Sequence, residues 1–414
     1  MEIKREFYLN ELVDRLDNGL IKIVTGIRRC GKSYLLDPIF KNYLIQQGVE
    51  RDHIIKLSLD ERANSKYLDP DILDQYIRSL IVDNKKYYII LDEIQEVKDF
   101  ESVLIGFMHI NNVEIYVTGS NSKFLSSDII TEFRGRGDEI RVYPLSFDEF
   151  YSVFDGSEEK ALNEYYTYGG LPLTLLAKTD NAKINYLKNQ RENVYINDIV
   201  ERNKIQNKEE LEMLVQIIAS DIGSLTNPLK LSNVFKERDK KSTITDKTIY
   251  KYLECLQDAF MIEKAKRFDV RGKKFIETPQ KYYFSDMGIR NSFLDFRQSE
   301  EISHIMENVI YLELRKRGYN VDVGTVEIRE GNSKKQLEID FVANKGNDKI
   351  YIQSALEMKT PEKVAQEQKS LLNVNDFFKM IIIVGDNIKK SRYDNGIIIM
   401  SIYDFLLEKD SLKY

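Results

Sequence analysis

At 414 residues the chain has room for about three domains of ordinary size, and several cores can form without a metal or disulfide staple. Its 42% hydrophobic and 31% charged content excludes a disordered chain, and 61 Lys+Arg against 67 Asp+Glu, a formal charge of -6, excludes a uniformly basic coat while leaving room for a local basic patch. Two cysteines, Cys30 and Cys255, and 3 histidines, with no CxxC or HExxH spacing, exclude a disulfide framework and argue against a zinc cluster.

The opening Met1-Glu2-Ile3-Lys4-Arg5-Glu6 has no apolar stretch, so no secretory signal is expected. No apolar run approaches the roughly 18 residues of a membrane span, which makes the cytoplasm the expected compartment and a membrane an unexpected partner. Over the first 150 residues, strand-like and helix-like segments alternate. Leu20–Val24 is a β-rich run followed by Gly26, Tyr87–Leu91 ends in Asp92-Glu93, and Val113–Val117 ends in Thr118-Gly119-Ser120. Continuous apolar strands separated by helical stretches predict an α/β fold with a parallel sheet covered on both faces, and ligands of such sheets bind just past the strand C-terminal ends. From about 147 to 225 the pattern is mostly helical, interrupted by Tyr168-Gly169-Gly170-Leu171-Pro172-Leu173, through which a helix cannot readily run. The stretch 226–290 reads as helix, helix, hairpin, with Thr245-Asp246 capping a helix to about Ala259 and a turn around Arg271-Gly272-Lys273-Lys274. That order fits a winged helix. Residues 228–281 carry 14 Lys+Arg against 8 Asp+Glu, a local charge of +6. The last segment, 295–414, starts on an amphipathic helix marked by Ile302, Ile305, Met306, Val309 and Ile310. Strand-like runs follow at Leu337–Val342, Lys349–Gln353, Met380–Val384 and Gly396–Met400, giving a second α/β domain.

Gly26-Ile27-Arg28-Arg29-Cys30-Gly31-Lys32-Ser33 matches G-x-x-x-x-G-K-[ST] at every fixed position, with a strand before it and helix-compatible Tyr34-Leu35-Leu36 after it. Glycines let successive backbone N–H groups point at phosphate oxygens, Lys32 neutralises them, and Ser33 is placed for Mg²⁺. The loop from Gly26 through Arg29, Cys30, Gly31, Lys32 and Ser33 to Tyr34 is therefore the expected ATP-binding stretch. Asp92, at the end of an apolar strand, is the expected second Mg²⁺ ligand, and Glu93 beside it the expected general base on water. Ser120 or Asn121, past the third strand, is a candidate sensor of the γ-phosphate, with Asn121 taken as the catalytic candidate. In Arg134-Gly135-Arg136 one arginine, Arg136 by preference, is a candidate finger, in cis or from a neighbouring copy; a trans finger would imply an oligomer.

These residues resemble a family of bacterial and archaeal AAA-type P-loop ATPases whose C-terminal domain of unknown function resembles a PD-(D/E)XK nuclease fold. The resemblance rests on Gly26–Ser33, Leu91-Asp92-Glu93-Ile94-Gln95, Thr118-Gly119-Ser120-Asn121-Ser122, Pro144–Phe150, Gly169-Gly170-Leu171-Pro172, Tyr195–Ile199 and Lys281-Tyr282-Tyr283-Phe284-Ser285-Asp286, and spans nearly the whole chain. It implies an ATPase core over 1–150, a helical lid over 151–225, a winged helix over 226–290 and a restriction-endonuclease-like α/β domain over 295–414. It also implies an adenine-side role for Pro172, by similarity to signal-transduction ATPases.

A nuclease of that fold needs an Asp on one strand and Glu-x-Lys on the next. Glu307 on the amphipathic helix, Asp340 and Gln353 are the corresponding residues, but Ala355 stands where the lysine belongs, and Glu357-Met358-Lys359 falls past the strand. The terminal domain is expected to be a catalytically silent relative. Lys247, Lys251, Arg267, Arg271, Lys273 and Lys274 are the basic residues expected to meet duplex DNA if the winged helix binds it. The leading expectation is a Mg²⁺-dependent ATPase whose nucleotide state switches the C-terminal domains. An ATP-regulated nuclease and a slow ATP switch docking a protein partner are the alternatives.

Overall fold

Strand β1 (Ile21–Thr25) is buried at all five residues, as a strand in the middle of a doubly covered sheet must be. The computed structural model describes residues 3–119, 135–238, 244–297, 302–331 and 333–413, so Ser120, Asn121 and Arg134 lie outside the described residues. With β2 (Ile54–Ser58), β3 (Tyr87–Asp92), β4 (Val113–Thr118) and β5 (Gly137–Arg141), β1 forms a wholly parallel sheet in the order β2-β3-β4-β1-β5. The α/β class and the parallel sheet are as expected. Helices Pro70–Leu80 and Phe100–Met108 seat Leu73, Ile77, Val103, Leu104 and Phe107 in one core with Ile23, Ile89, Leu91 and Val117. Asp69 caps the first of them, its side chain accepting from the N–H groups of Asp71 and Ile72. The helix that follows the glycine loop is interrupted. Lys32–Tyr34 is helical, but Asp37 has extended backbone angles before Pro38, and the regular turn resumes at Lys41–Gln46.

This sheet belongs to one compact unit, residues 1–144 with 258–260; the second unit comprises 145–257 and 261–414. The second unit begins in helices, Phe147–Tyr151, Glu158–Tyr168, Asp180–Asn189 and Lys208–Ser220 among them. Helices Pro228–Arg238 and Asp246–Asp258 and the hairpin β6 (Ile262–Asp269) and β7 (Lys274–Phe284) then appear in the expected order, and Thr245 Oγ1 accepts from the N–H of Thr248 at the predicted cap. The hairpin does not stand alone. Together with β8 (Asn320–Glu330), β9 (Ser333–Lys345), β10 (Asp348–Ala355), β11 (Lys379–Val384), β12 (Ser391–Arg392) and β13 (Ile398–Ser401), it forms one eight-stranded mixed sheet, β12-β13-β11-β10-β9-β8-β6-β7. Residues 267–269 of β6 pair in parallel with 323–325 of β8, so segments 226–290 and 295–414 share a sheet. Helix Ile302–Lys316 buries Ile305, Met306, Val309 and Ile310, as their spacing predicts, whereas Ile302, the first of that series, stands exposed in the opening turn. No described helix is long and apolar enough to cross a membrane.

Candidate functional site

The loop after β1 is shaped by close backbone approach. Gly26 has φ 144°, and a Cβ there would lie 2.1 Å from the carbonyl oxygen of Val142, so only glycine fits. Arg29 and Gly31 also take positive φ, 65° and 102°, which turns the chain back toward the strand ends. Lys32 is buried at 4% exposure, and its ammonium donates to the carbonyls of Gly26 (2.9 Å) and Ile27 (3.2 Å). Ser33 and Tyr34 are exposed, and Arg29 also faces solvent. Cys30 points the other way. Its side chain is fully buried, its thiol donates to Val142 O at 3.4 Å, and its N–H closes a turn on Ile27 O at 3.3 Å. A redox role for this thiol has no geometric support; it is a packing residue of the loop.

The tips of β3 and β4 complete the site. Ser33 Oγ donates to Asp92 Oδ1 at 3.0 Å, and Thr118 Oγ1 donates to the same oxygen. Thr118 is itself fully buried and accepts from the N–H of Glu93 at 3.0 Å. One hydroxyl thus ties the two acids of the Asp-Glu pair. Glu93 sits in left-handed backbone at φ 54°, with its carboxylate taking a hydrogen bond from the Gln95 amide. Burial pushes the Asp92 carboxyl above its ordinary range, against the pull of the Thr118 and Ser33 hydroxyls. The metal and catalytic candidates Ser33, Asp92 and Glu93 therefore lie together beside Lys32, at the C-terminal end of the parallel strands. Thr118 and Gln95 were not singled out by sequence reasoning, although each adjoins or belongs to a motif that was.

Arg5 was missed entirely. It is buried at 3% exposure, donates to the carbonyls of Cys30 (3.2 Å) and Tyr143 (2.7 Å), and lies over the Tyr8 ring at 4.6 Å. It clamps the outer wall of the loop to the segment after β5. No periodicity or motif marks it in the sequence.

Arg136 is not brought to this site within its own chain. Its carbonyl accepts from Ile21 N, and β5 runs parallel to β1 from Gly137 opposite Ile21, so Arg136 lies at the strand N-terminal edge while the loop leaves the C-terminal edge. A finger from this position would have to serve a second copy.

In the second unit, Gly169-Gly170-Leu171-Pro172 is the predicted turn. Helix Glu158–Tyr168 stops at Gly169, φ 72°, and Pro172 opens a 3-10 turn to Thr174. The turn is held by Asp286, which is fully enclosed. Its Oδ2 accepts from Gly170 N at 2.7 Å, its Oδ1 from Ile289 N at 2.9 Å, and a Cβ on Gly169 would lie 2.3 Å from the carboxylate. Burial pushes the Asp286 carboxyl up to about 6, with the backbone N–H groups of Ile289, Gly170, Gly288 and Leu171 holding it down. A carboxyl raised in the folded state binds its proton more tightly there than when unfolded. Its stabilising effect is complete below the unfolded value of about 4, fades as pH rises through about 6, and is level above that. Unfolding titrations of the wild type from pH 4 to 7, set against Asp286→Asn, are expected to show this falling contribution only in the wild type; parallel curves would remove Asp286 as its source.

The nuclease-like candidates sit around a lysine that sequence reasoning did not connect with them. Lys281, on β7, donates to Glu307 Oε1 (2.9 Å) and Glu338 Oε1 (2.7 Å), and Tyr283 OH donates to Glu307 Oε1 at 2.6 Å. Burial pushes Glu307 up, but the Lys281 charge, the His304 ring 3.8 Å away and the Tyr283 hydroxyl hold it below its ordinary range, whereas burial beside the Glu307 charge drives Asp340 well above its own. Asp340 Oδ2 accepts from Ser354 N at 2.7 Å. Gln353 turns aside, accepting from Ser370 Oγ at 3.3 Å, and Ala355 is buried in the sheet core. Among the described residues, no group of three or more His, Cys, Asp and Glu side chains is arranged to hold a metal ion. Of the basic residues expected to meet DNA, Arg267 is buried at 8% exposure, and Arg271 donates to the carbonyls of Asn373 and Glu327; Lys247, Lys251, Lys273 and Lys274 are exposed.

Residues 18–151 match an AAA domain, 159–300 a domain of unknown function (DUF8612) and 303–405 another (DUF4143). An uncharacterized protein of Haemophilus influenzae is 33% identical over 98% of this chain and 99% of its own length. Uncharacterized protein MJ1544 of Methanocaldococcus jannaschii is 31% identical over 83% of this chain and 76% of its own. Among solved structures, the Walker-type ATPase PABY2304 of Pyrococcus abyssi aligns with a TM-score of 0.48 at 17% identity, over 71% of this chain and 96% of that one. With full-length identity to a relative above 30% and the glycine loop inside the matched AAA domain, the chain belongs to this family of AAA-type P-loop ATPases, whose C-terminal half consists of domains of unknown function.

Proposed function

We propose that the protein binds ATP with Mg²⁺ and hydrolyses it, and that its nucleotide state switches the C-terminal unit. The observation that carries this reading is the junction of Lys32, Ser33, Asp92 and Glu93 at the ends of β1 and β3. The residues present fit both groups. Two loop carbonyls take two of the three Lys32 donors, leaving one for an anionic ligand. A hydroxyl and a carboxylate 3.0 Å apart, Ser33 and Asp92, are the hard oxygen donors a divalent cation takes. A carboxyl that burial has pushed up gains most from a cation beside it. When bound, Mg²⁺ would neutralise charge on the phosphates and orient them. Lys32 binds phosphate oxygen, Asp92 and Ser33 hold the cation, Thr118 fixes Asp92 and the Glu93 backbone, and Glu93 accepts the proton of the attacking water.

The Lys281 arrangement supports the reading in which the terminal cluster cleaves nothing, because the ammonium is committed to two carboxylates and Gln353 is turned to Ser370. The test of the proposal is ATP binding and steady-state hydrolysis by the full chain. Lys32→Ala is expected to abolish saturable ATP binding and turnover together. Unchanged ATP affinity in that variant would overturn the site. Turnover raised by duplex DNA would make the switch DNA-coupled; turnover indifferent to DNA would point to a protein partner.

A further inference from the structure

The hairpin β6–β7 carries an aromatic and basic strip that the ATPase reading does not use. β7 is the outermost strand of the eight-stranded sheet. Phe268 on β6 and Phe275 on β7 are register partners, with ring centroids 5.3 Å apart, and Phe275 is 59% exposed. The Lys266 ammonium lies 5.7 Å from the Phe275 ring. Lys349 lies 5.5 Å from Phe268 and 5.1 Å from Phe378, which continues the strip onto the loop before β11. Phe378 is 43% exposed, and its neighbour Phe377 lies wholly in solvent. Exposed edge strands commonly carry lysine to prevent sheet-to-sheet pairing, but that purpose requires no exposed phenylalanine.

The charges indicate what covers the strip. Lys264, Lys266, Lys273 and Lys274 are exposed and form no ion pair among the described residues, while Lys334, Lys363 and Lys369 in the same unit each lie on a carboxylate. Protein interfaces are depleted in lysine, whereas polyanions require it. Lys349, by contrast, lies 4.0 Å from the Asp376 carboxylate, so the free charge is that of the hairpin lysines. Rings open to solvent beside such unpaired ammonium groups can stack on bases only where those bases are not already stacked within a duplex. We infer that this strip of the hairpin and the Phe377-Phe378 loop binds single-stranded nucleic acid, with the phenylalanines stacking on bases and the hairpin lysines meeting phosphates. The inference stands independently of the ATP site.

Fluorescence anisotropy of the full chain with a labelled 20-nucleotide oligothymidine, across a salt series, tests it. Phe275→Ala and Phe378→Ala, both at exposed positions, are each expected to weaken binding about ten-fold. The pair Lys273→Ala and Lys274→Ala is expected to lower the slope of log affinity against log salt by about 1.4, at roughly 0.7 for each phosphate no longer neutralised. Circular dichroism checks that each variant is folded. The inference is overturned by an absence of oligothymidine binding at 50 mM salt, by tighter binding to a duplex of the same length, or by binding that the lysine changes weaken and the phenylalanine changes leave alone. The first of these outcomes assigns the face to a protein partner.

Discussion

Glu93→Gln is expected to lower steady-state ATP turnover by about 10² to 10⁴-fold, the range for loss of a positioned general base, while ATP affinity stays within a few-fold of wild type. The separation follows from where the interactions lie. In the proposed site phosphate and cation are held by Lys32, Ser33 and Asp92, and none of the hydrogen bonds these three make among the described residues runs through the Glu93 carboxylate. Glu93 is connected to the site through its own N–H, fixed 3.0 Å from Thr118 Oγ1, and through the Gln95 amide. Gln at position 93 keeps size and hydrogen bonding and loses only the basic carboxylate. Equal turnover in the variant would show that another group activates the water. Thr118 should matter for a different reason. With Val in its place, Asp92 loses a donor and the Glu93 N–H loses its acceptor, so both affinity and turnover should fall.

The candidate ATP site could be read in the sequence because its chemistry depends on contiguous motifs. A glycine loop must contain Gly26, where backbone meets backbone, and a buried strand ending in acids must be apolar up to Asp92. The remaining contributors are single residues placed by the fold. Arg5 lies far from the loop in sequence, and its partners are main-chain carbonyls that any residue would offer. Strand β5, Gly137-Asp138-Glu139-Ile140-Arg141, has only Ile140 fully buried, since it is an edge strand paired on one side with β1; its polar pattern conceals it. Strand β8 mixes acidic and apolar residues and is held by β9 and β6, not by its own pattern. The helix-helix-hairpin order of 226–290 was legible, whereas the pairing of Arg267–Asp269 with Val323–Thr325 that joins it to the terminal strands is long-range and leaves no local mark.

The lysine of the terminal cluster was hidden for the same reason, and it carries the largest stability prediction. Lys281→Met is expected to destabilise the second unit by about 3–5 kcal/mol, the cost of breaking a buried ion pair by removing one partner. Glu307 would keep the Tyr283 hydroxyl and the His304 ring 3.8 Å away but lose the only lysine ammonium that bonds it among the described residues, and at 10% side-chain exposure it has little water to replace it. Glu338, about one-third exposed, can turn to solvent and adds little. Two results separate this account from simple loss of packing. Adding Glu307→Gln to Lys281→Met should recover most of the loss, because the uncompensated charge then disappears. The deficit of the single variant should also shrink as pH falls. In the wild type Glu307 is held low against burial chiefly by the Lys281 charge, a contribution lost as acid protonates it; in the variant burial is opposed only by Tyr283 and His304, so Glu307 rises, a penalty that acid removes. Hydrogen exchange of the β7 amides, measured near pH 7 and again near pH 5, reads both effects at the strand that carries Lys281. Wild-type protection of β7 in Lys281→Met at pH 7 would mean that the ammonium does not neutralise Glu307.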